Sequence, residues 1–193
     1  MWLLLIVILA VVVFYFLGTY NKFVTIKTRL KASIQEIGNQ LKRQAALIPN
    51  LTAAVKGYMK HEKGIFKDLT DARKSVMEAV KSGNVEKMVN AGDLLQKALQ
   101  PIKVLVESNP QIQAAGPTTK LMDELRDTAD KLMYSRRTLI DLTADYNVML
   151  VAFPSNLVAK LFSFKPEKGL KTPTEGEHIE VSVKETKDPK VEL

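Results

Sequence analysis

A chain of 193 residues with a formal charge of +7 and no cysteine has the length of one domain plus an added segment. Its composition excludes disulfides, thiolate metal sites and cysteine nucleophiles. The charge is local: residues 20–110 carry 16 Lys/Arg against 8 Asp/Glu, residues 111–152 carry 5 against 6, and residues 153–193 carry 7 against 7. A nucleic-acid partner is not expected, because no recognition motif accompanies the basic excess and the few aromatics lie in apolar contexts.

The chain opens with residues 2–17, WLLLIVILAVVVFYFL, an uninterrupted apolar run of 16 residues. As a helix it is ~24 Å long against a hydrocarbon core of ~30 Å, and Gly18, Thr19 and Tyr20 can make up the difference in the interface. Trp2 at one end and Tyr15 and Tyr20 at the other suit the two aromatic belts. A cleaved signal peptide needs a basic leader and a small-x-small cleavage site, and neither is present. Residues 1–19 therefore read as a transmembrane anchor. Lys22, Lys27, Arg29 and Lys31 follow the run and no cation precedes it, which predicts the N-terminus outside and the remainder cytoplasmic. There the basic half would face anionic headgroups, making membrane lipids one expected partner.

Residues 20–153 read as helices. Phe23, Ile26, Leu30, Ile34, Ile37 and Leu41 recur at spacings of 3, 4, 4, 3 and 4, one apolar stripe of an amphipathic helix. A second stripe passes through Leu51, Val55, Tyr58, Ile65, Leu69, Ala72, Val76 and Val80, missing only at Glu62. It stops at Ser82-Gly83-Asn84, a turn with an N-cap residue. A third helix spans about residues 85–108 with Pro101 inside it, and the stretch ESNPQIQAAGPTT reads as a loop. A fourth helix opens near Thr119, runs through Leu121, Leu125, Leu132, Leu139, Leu142, Tyr146 and Met149, and ends near Phe153-Pro154.

Pro49 poses the topological question. A helix unbroken from residue 20 to 82 would reach ~90 Å, and half of its apolar face would find no partner. A break at Ile48-Pro49 gives helices of comparable length that can share one core. The expected fold is therefore all-α: an antiparallel up-and-down four-helix bundle preceded by the transmembrane helix. In that topology the fourth helix brings Tyr146, Asn147 and the following FPSNL back beside Tyr20 and Asn21.

Residues 154–164 then form a short amphipathic helix with Ser155 as its cap. Leu157, Val158, Leu161, Phe162 and Phe164 would lie on one side and Lys160 towards the other. Such a helix can lie on the membrane surface or close the end of the bundle. Leu157, Lys160, Leu161, Phe162 and Phe164 are its candidate membrane-surface residues. Residues 165–193 are mixed-charge and read as a disordered tail.

No catalytic, cofactor or metal site is expected. His61 and His178 are the only histidines; His61-Glu62 lacks the second histidine of a zincin helix and the Glu-x-x-His pairs of a di-iron bundle. His61-Glu62 also resembles the phosphoacceptor box of sensor histidine kinases, whose ATP-binding domain this chain has no room for; a bundle phosphorylated by another kinase is the reading that remains. Asp123, Glu124, Asp127 and Asp130 share a helix with Arg126, Lys131 and Arg136, which reads as a salt-bridged exposed face rather than an acid–base pair. Phosphate loops and nucleophile elbows are absent.

YNKFV (residues 20–24), QLKRQAALIPNLTAAVKGYMKHEK (40–63), DYN (145–147) and FPSNLVAKLFSFK (153–165) together resemble the LemA family of bacterial membrane proteins, over about residues 1–165. The resemblance implies a single N-terminal span and a cytoplasmic helical bundle. It implies no activity, and a related branch associated with magnetosome membranes points towards a membrane-organising role. The expected function is a non-enzymatic, membrane-anchored scaffold that binds another protein or organises the bilayer, with an unidentified protein and a second copy of itself among its expected partners. The alternative is a signalling or ligand-binding bundle that uses His61 or the acidic cluster from Asp123 to Asp130.

Overall fold

The computed structural model describes residues 1–58, 63–114 and 116–170, and no strand occurs among them. Six helices follow in order: α1 (Trp2–Val55), α2 (Lys63–Ser82), α3 (Val85–Ser108), α4 (Pro110–Ala114), α5 (Gly116–Val151) and α6 (Ser155–Leu161).

The apolar run and the first amphipathic stripe are one element. α1 has 54 residues, ~81 Å at 1.5 Å each. Residues 2–15 are exposed throughout, whereas Phe23, Ile26, Leu30, Ile37 and Leu41 are buried. The helix therefore changes partner, from nothing within the protein to the core, without a change of backbone.

Pro49 does not break it. α1 continues through the proline to Val55, and the chain turns at residues 56–58, where Tyr58 N–H donates to the Val55 carbonyl at 2.9 Å. The expected corner was thus placed too early. A proline inside a helix removes the N–H that would bond the carbonyl four residues back, here that of Ala45. Arg73 of α2 supplies the replacement: its Nε–H donates to the Ala45 oxygen at 3.1 Å. The defect left by Pro49 is repaired by a neighbouring helix, and the helix needs no corner there.

α1 runs antiparallel to two partners. Against α5, Phe23 meets Tyr146 while Arg43 meets Glu124 and Asp127. Against α2, Gly38 faces Val80 while Ala45 meets Arg73. The turn between α2 and α3 follows the sequence closely. Gly83 adopts φ +67, which glycine reaches without a Cβ clash, and the Asn84 side chain caps α3 by accepting from Lys87 N–H at 3.0 Å. Pro101, expected to interrupt and kink the third helix, lies inside a continuous α3.

One core joins these helices, with Leu41, Leu51, Leu69, Leu95, Leu99 and Ile102 fully buried. Packing is tight at Gly92 of α3, where a Cβ would lie 2.7 Å from Arg136 Nη2 and 3.0 Å from Leu41 Cδ2. Arg136 uses that space to reach the Val89 carbonyl at 3.0 Å and Asp93 at 2.9 Å.

Two local expectations are corrected. ESNPQIQAAGPTT is not a loop throughout, because residues 110–114 form α4 and α5 already begins at Gly116. Proline suits the first turn of a helix, and the Asn109 side chain accepts from Gln111 N–H at 3.1 Å. Ile112, the one apolar residue of that turn with a described environment, is fully buried. Ser155 does not cap α6: Pro154 occupies the cap position, and the Ser155 hydroxyl donates back to the carbonyls of Met149 (2.7 Å) and Ala152 (2.9 Å).

Candidate membrane-proximal site

The end of α5, α6 and the segment after it return to the part of α1 that adjoins the apolar run, as the topology requires. Five aromatic rings meet there. Phe164 stacks on Phe23 with centroids 4.7 Å apart and planes at 20°, and Phe23 meets the Tyr146 ring edge-on at 5.6 Å. Tyr20 touches Phe162 at 4.7 Å and Phe164 at 5.8 Å. Tyr20 and Phe23 lie one helical turn apart and so present adjacent faces to the returning chain.

The two faces of α6 differ from the expected pattern. Val158 and Ala159 are buried against the bundle, while Leu157, Lys160 and Leu161 are exposed. Val158 is therefore not on the face of Leu157, and Lys160 stands on the outward side beside the two leucines. Phe162 is half exposed although its ring touches Tyr20; Phe164 is turned inward onto Phe23. Phe153, just before α6, is 82% exposed.

The chain does not leave the fold at residue 165. Glu167 is clamped by its backbone and its side chain together. The Asn147 amide donates to the Glu167 carbonyl (2.9 Å) and accepts from the Glu167 N–H (3.1 Å). The Glu167 carboxylate pairs with Lys27 at 3.0 Å. Gly169 then lies against Thr143, and Leu170 packs on the core. The boundary expected at residue 165 thus falls inside a strap that is ordered at least to Leu170; residues 171–193 lie outside the described residues.

Two groups here titrate away from their ordinary values. The hydrogen bond from Lys27 to Glu167, reinforced by the carboxylate charge, holds the Lys27 ammonium above the usual lysine range. Burial pushes the Tyr146 phenol up; the Lys27 charge opposes this and that of Glu167 adds to it. Lys27 and Glu167 were not among the expected site residues. Asn147 could be singled out only through the DYN motif, because hydrogen bonding to a backbone twenty positions away leaves no periodic trace.

The other candidates lie elsewhere. His61 and His178 lie outside the described residues. Of the acidic cluster, Asp127 pairs with Lys131 at 2.8 Å, and Arg43 approaches Glu124 (3.8 Å) and Asp127 (3.9 Å). These are partly exposed pairs on a helix surface, contacts of small energetic consequence. Asp130 lines an open groove of about 750 Å3 between α1 and α5, together with Arg29, Ser33, Glu36, Tyr134 and Thr138. Among the described residues no group of three or more His, Asp or Glu could hold a metal ion.

The LemA family model matches residues 33–184, more than half of the chain and all of α2 to α6. The chain belongs to the LemA family. Against the expected coverage of residues 1–165, this LemA-family match begins within α1 and extends past the strap. The apolar run therefore lies outside it, and residues beyond 165 lie within. The chain is similar to Magnetosome protein MamQ of Magnetospirillum gryphiswaldense, 26% identical over 169 residues, covering 76% of this chain and 62% of that protein. It thus spans less than two thirds of that relative's length. It is also similar to Magnetosome protein MamQ 2 and MamQ 1 of Paramagnetospirillum magneticum, each 24% identical over 188 residues, covering 84% of this chain and 69% of each relative. The family and the single apolar N-terminal helix are consistent with a membrane-associated protein.

Proposed function

We propose that this LemA-family chain is a non-enzymatic, membrane-anchored scaffold: an up-and-down four-helix bundle joined rigidly to a transmembrane helix and offering its surface to another protein or to the bilayer. The observation that carries this reading is the continuity of α1. The apolar run near the N-terminus contains no buried residue, yet the same helix runs on into the core at Phe23. A side chain left bare of protein on every face needs another apolar environment, and a bilayer supplies it. The basic residues that follow the run support an N-terminus outside and a cytoplasmic bundle. Relatives named as magnetosome proteins support a role in the organisation of a bacterial structure rather than in a reaction.

The absence of cysteine makes the test direct. Single cysteines introduced at Trp2 and at exposed Lys81 are labelled with a membrane-impermeant maleimide in intact cells, and crosslinked membranes are analysed by mass spectrometry. Labelling at the first site only, a chain released by detergent alone, and crosslinks from the bundle to a defined protein set are expected. Release by alkaline or high-salt washing would end the anchored-scaffold reading.

A further inference from the structure

The amphipathic character of α6 is divided between two partners, and the protein supplies one of them. Val158 and Ala159 fill the end of the bundle, but Leu157 is 47% exposed, Leu161 66%, Phe162 48% and Phe153 82%. Four large apolar side chains within ten residues form a patch that needs an occupant. Their height along the molecule indicates which. The Phe162 ring lies 4.7 Å from that of Tyr20, and Tyr20 is separated from Leu17, the last residue of the apolar run, by less than one helical turn. The exposed edge of α6 is therefore level with the end of the segment read as a span, where the acyl chains of a bilayer give way to headgroups. Lys22, Lys160 and Lys165 are exposed around the same edge, and lysine stems lie along apolar surface while their ammonium groups reach headgroup phosphates.

We propose that α6 is an interfacial helix. Leu157, Leu161, Phe162 and Phe153 enter the headgroup–acyl boundary of the bilayer that α1 crosses, and Lys22, Lys160 and Lys165 contact its phosphates. Continuity with the apolar run favours lipid over a second copy of the chain as occupant. The proposal rests on the anchored reading and deepens it. A single span leaves the tilt of α1 against the bilayer free, whereas a second contact beside it fixes which side of the bundle leans towards the membrane. Phe164, stacked on Phe23, and Glu167, held by Asn147 and Lys27, tie the end of this shelf to α1 and α5, so that it cannot swing away independently.

The chain has a single tryptophan, Trp2, which allows a reporter without background. Phe162→Trp and, separately, Leu161→Trp are placed in a Trp2→Phe full-length chain reconstituted into vesicles of phosphatidylcholine and phosphatidylglycerol. Circular dichroism checks the fold of each variant. Lipids brominated near the carbonyl end of the acyl chain are expected to quench both reporters about twofold, since an interfacial helix sits ~5–10 Å into the boundary. Met133→Trp, at a position 67% exposed on α5, should be unaffected. The unmodified chain reports separately on the span through Trp2. Quenching of Trp2 without quenching of either α6 reporter overturns the interfacial helix and leaves the anchor standing. Quenching of neither overturns the anchor as well. Blue-shifted α6 reporters that lipid bromine does not quench would mean that a second copy covers the edge, which also overturns the proposal.

Discussion

The repair of Pro49 by Arg73 can be measured as a coupling. Arg73→Met keeps most of the side-chain stem but removes the donor to the Ala45 carbonyl, which then faces Pro49 without a partner on the chain. A hydrogen bond from a charged donor contributes ~1.5–3 kcal/mol. Because Arg73 is exposed, water replaces part of it, and ~1 kcal/mol is the better expectation. That corresponds to roughly 2–4 °C in Tm for a domain of this size. In a Pro49→Ala background the new N–H bonds the same carbonyl along the helix, so Arg73 becomes nearly redundant. The expected coupling in the cycle of the two single variants and the double variant is therefore about 1 kcal/mol, within the range seen for residues in contact. Urea unfolding of the full chain in detergent micelles, followed by far-UV circular dichroism, measures it. If Arg73→Met costs the same in both backgrounds, the guanidinium does not compensate for the proline and the explanation of the unbroken helix fails.

Other consequences follow from close contacts. Gly92→Ala would set a methyl 2.7 Å from Arg136 Nη2, so the guanidinium must withdraw from the Val89 carbonyl; losing that charged hydrogen bond outweighs the gain in helix propensity and should destabilise by ~1 kcal/mol, read as a lower urea midpoint. Asn147→Ala removes both hydrogen bonds to the Glu167 backbone; trypsin should then cut faster after Lys168, with helix content unchanged. At alkaline pH the raised Lys27 and Tyr146 values act in the same direction. A group held higher in the folded than in the unfolded state contributes stability below its unfolded value and loses it as pH rises through the folded one. The urea midpoint should therefore fall as pH climbs above about 10, where tyrosine and lysine ordinarily titrate. Tyr146→Phe should flatten that decline at little cost at neutral pH, because the Tyr146 hydroxyl has no hydrogen-bond partner among the described residues.

The helices were legible where one periodicity governs one element. Asn84 and Gly83 mark a boundary by local chemistry, and α3 begins where they place it. The corner between α1 and α2 was misplaced for a physical reason. The apolar stripe from Leu51 through Val55 and Tyr58 to Ile65 keeps helical phase across the turn, so periodicity gives no sign of it, while Pro49 gives a false one. The better signal was Gly57 among Lys56, Lys60, His61 and Lys63, because glycine commonly ends helices just past their last turn. Proline indicates only that one carbonyl loses its usual donor. Whether the helix breaks depends on a donor elsewhere in the fold, and Arg73 cannot be assigned to Ala45 without the tertiary structure. The strap was hidden for a similar reason. Glu167 lies in a mixed-charge segment with a disordered composition, and only the return of Asn147 and Lys27 to one place gives it partners.

Moving the corner from Pro49 to residues 56–58 changes what holds the lower part of the bundle together. The α2–α3 turn lies near Gly38 of α1, where Val80 and Met88 approach, so the hairpin flanks α1 only beyond that point. Between Thr19 and Ser33, ~21 Å of helix, α1 has α5 beside it but not the hairpin. Two antiparallel helices cannot enclose a core by themselves, and an amphipathic face left open is poorly stable in water. The third layer at this level is α6 with the strap: Phe164 covers Phe23, and Asn147 and Lys27 fix Glu167 over the seam. The FPSNL segment is therefore needed to complete the bundle as well as for the proposed contact with the membrane. Its two readings do not compete, because Val158 and Ala159 serve the first and Leu157 and Leu161 remain for the second.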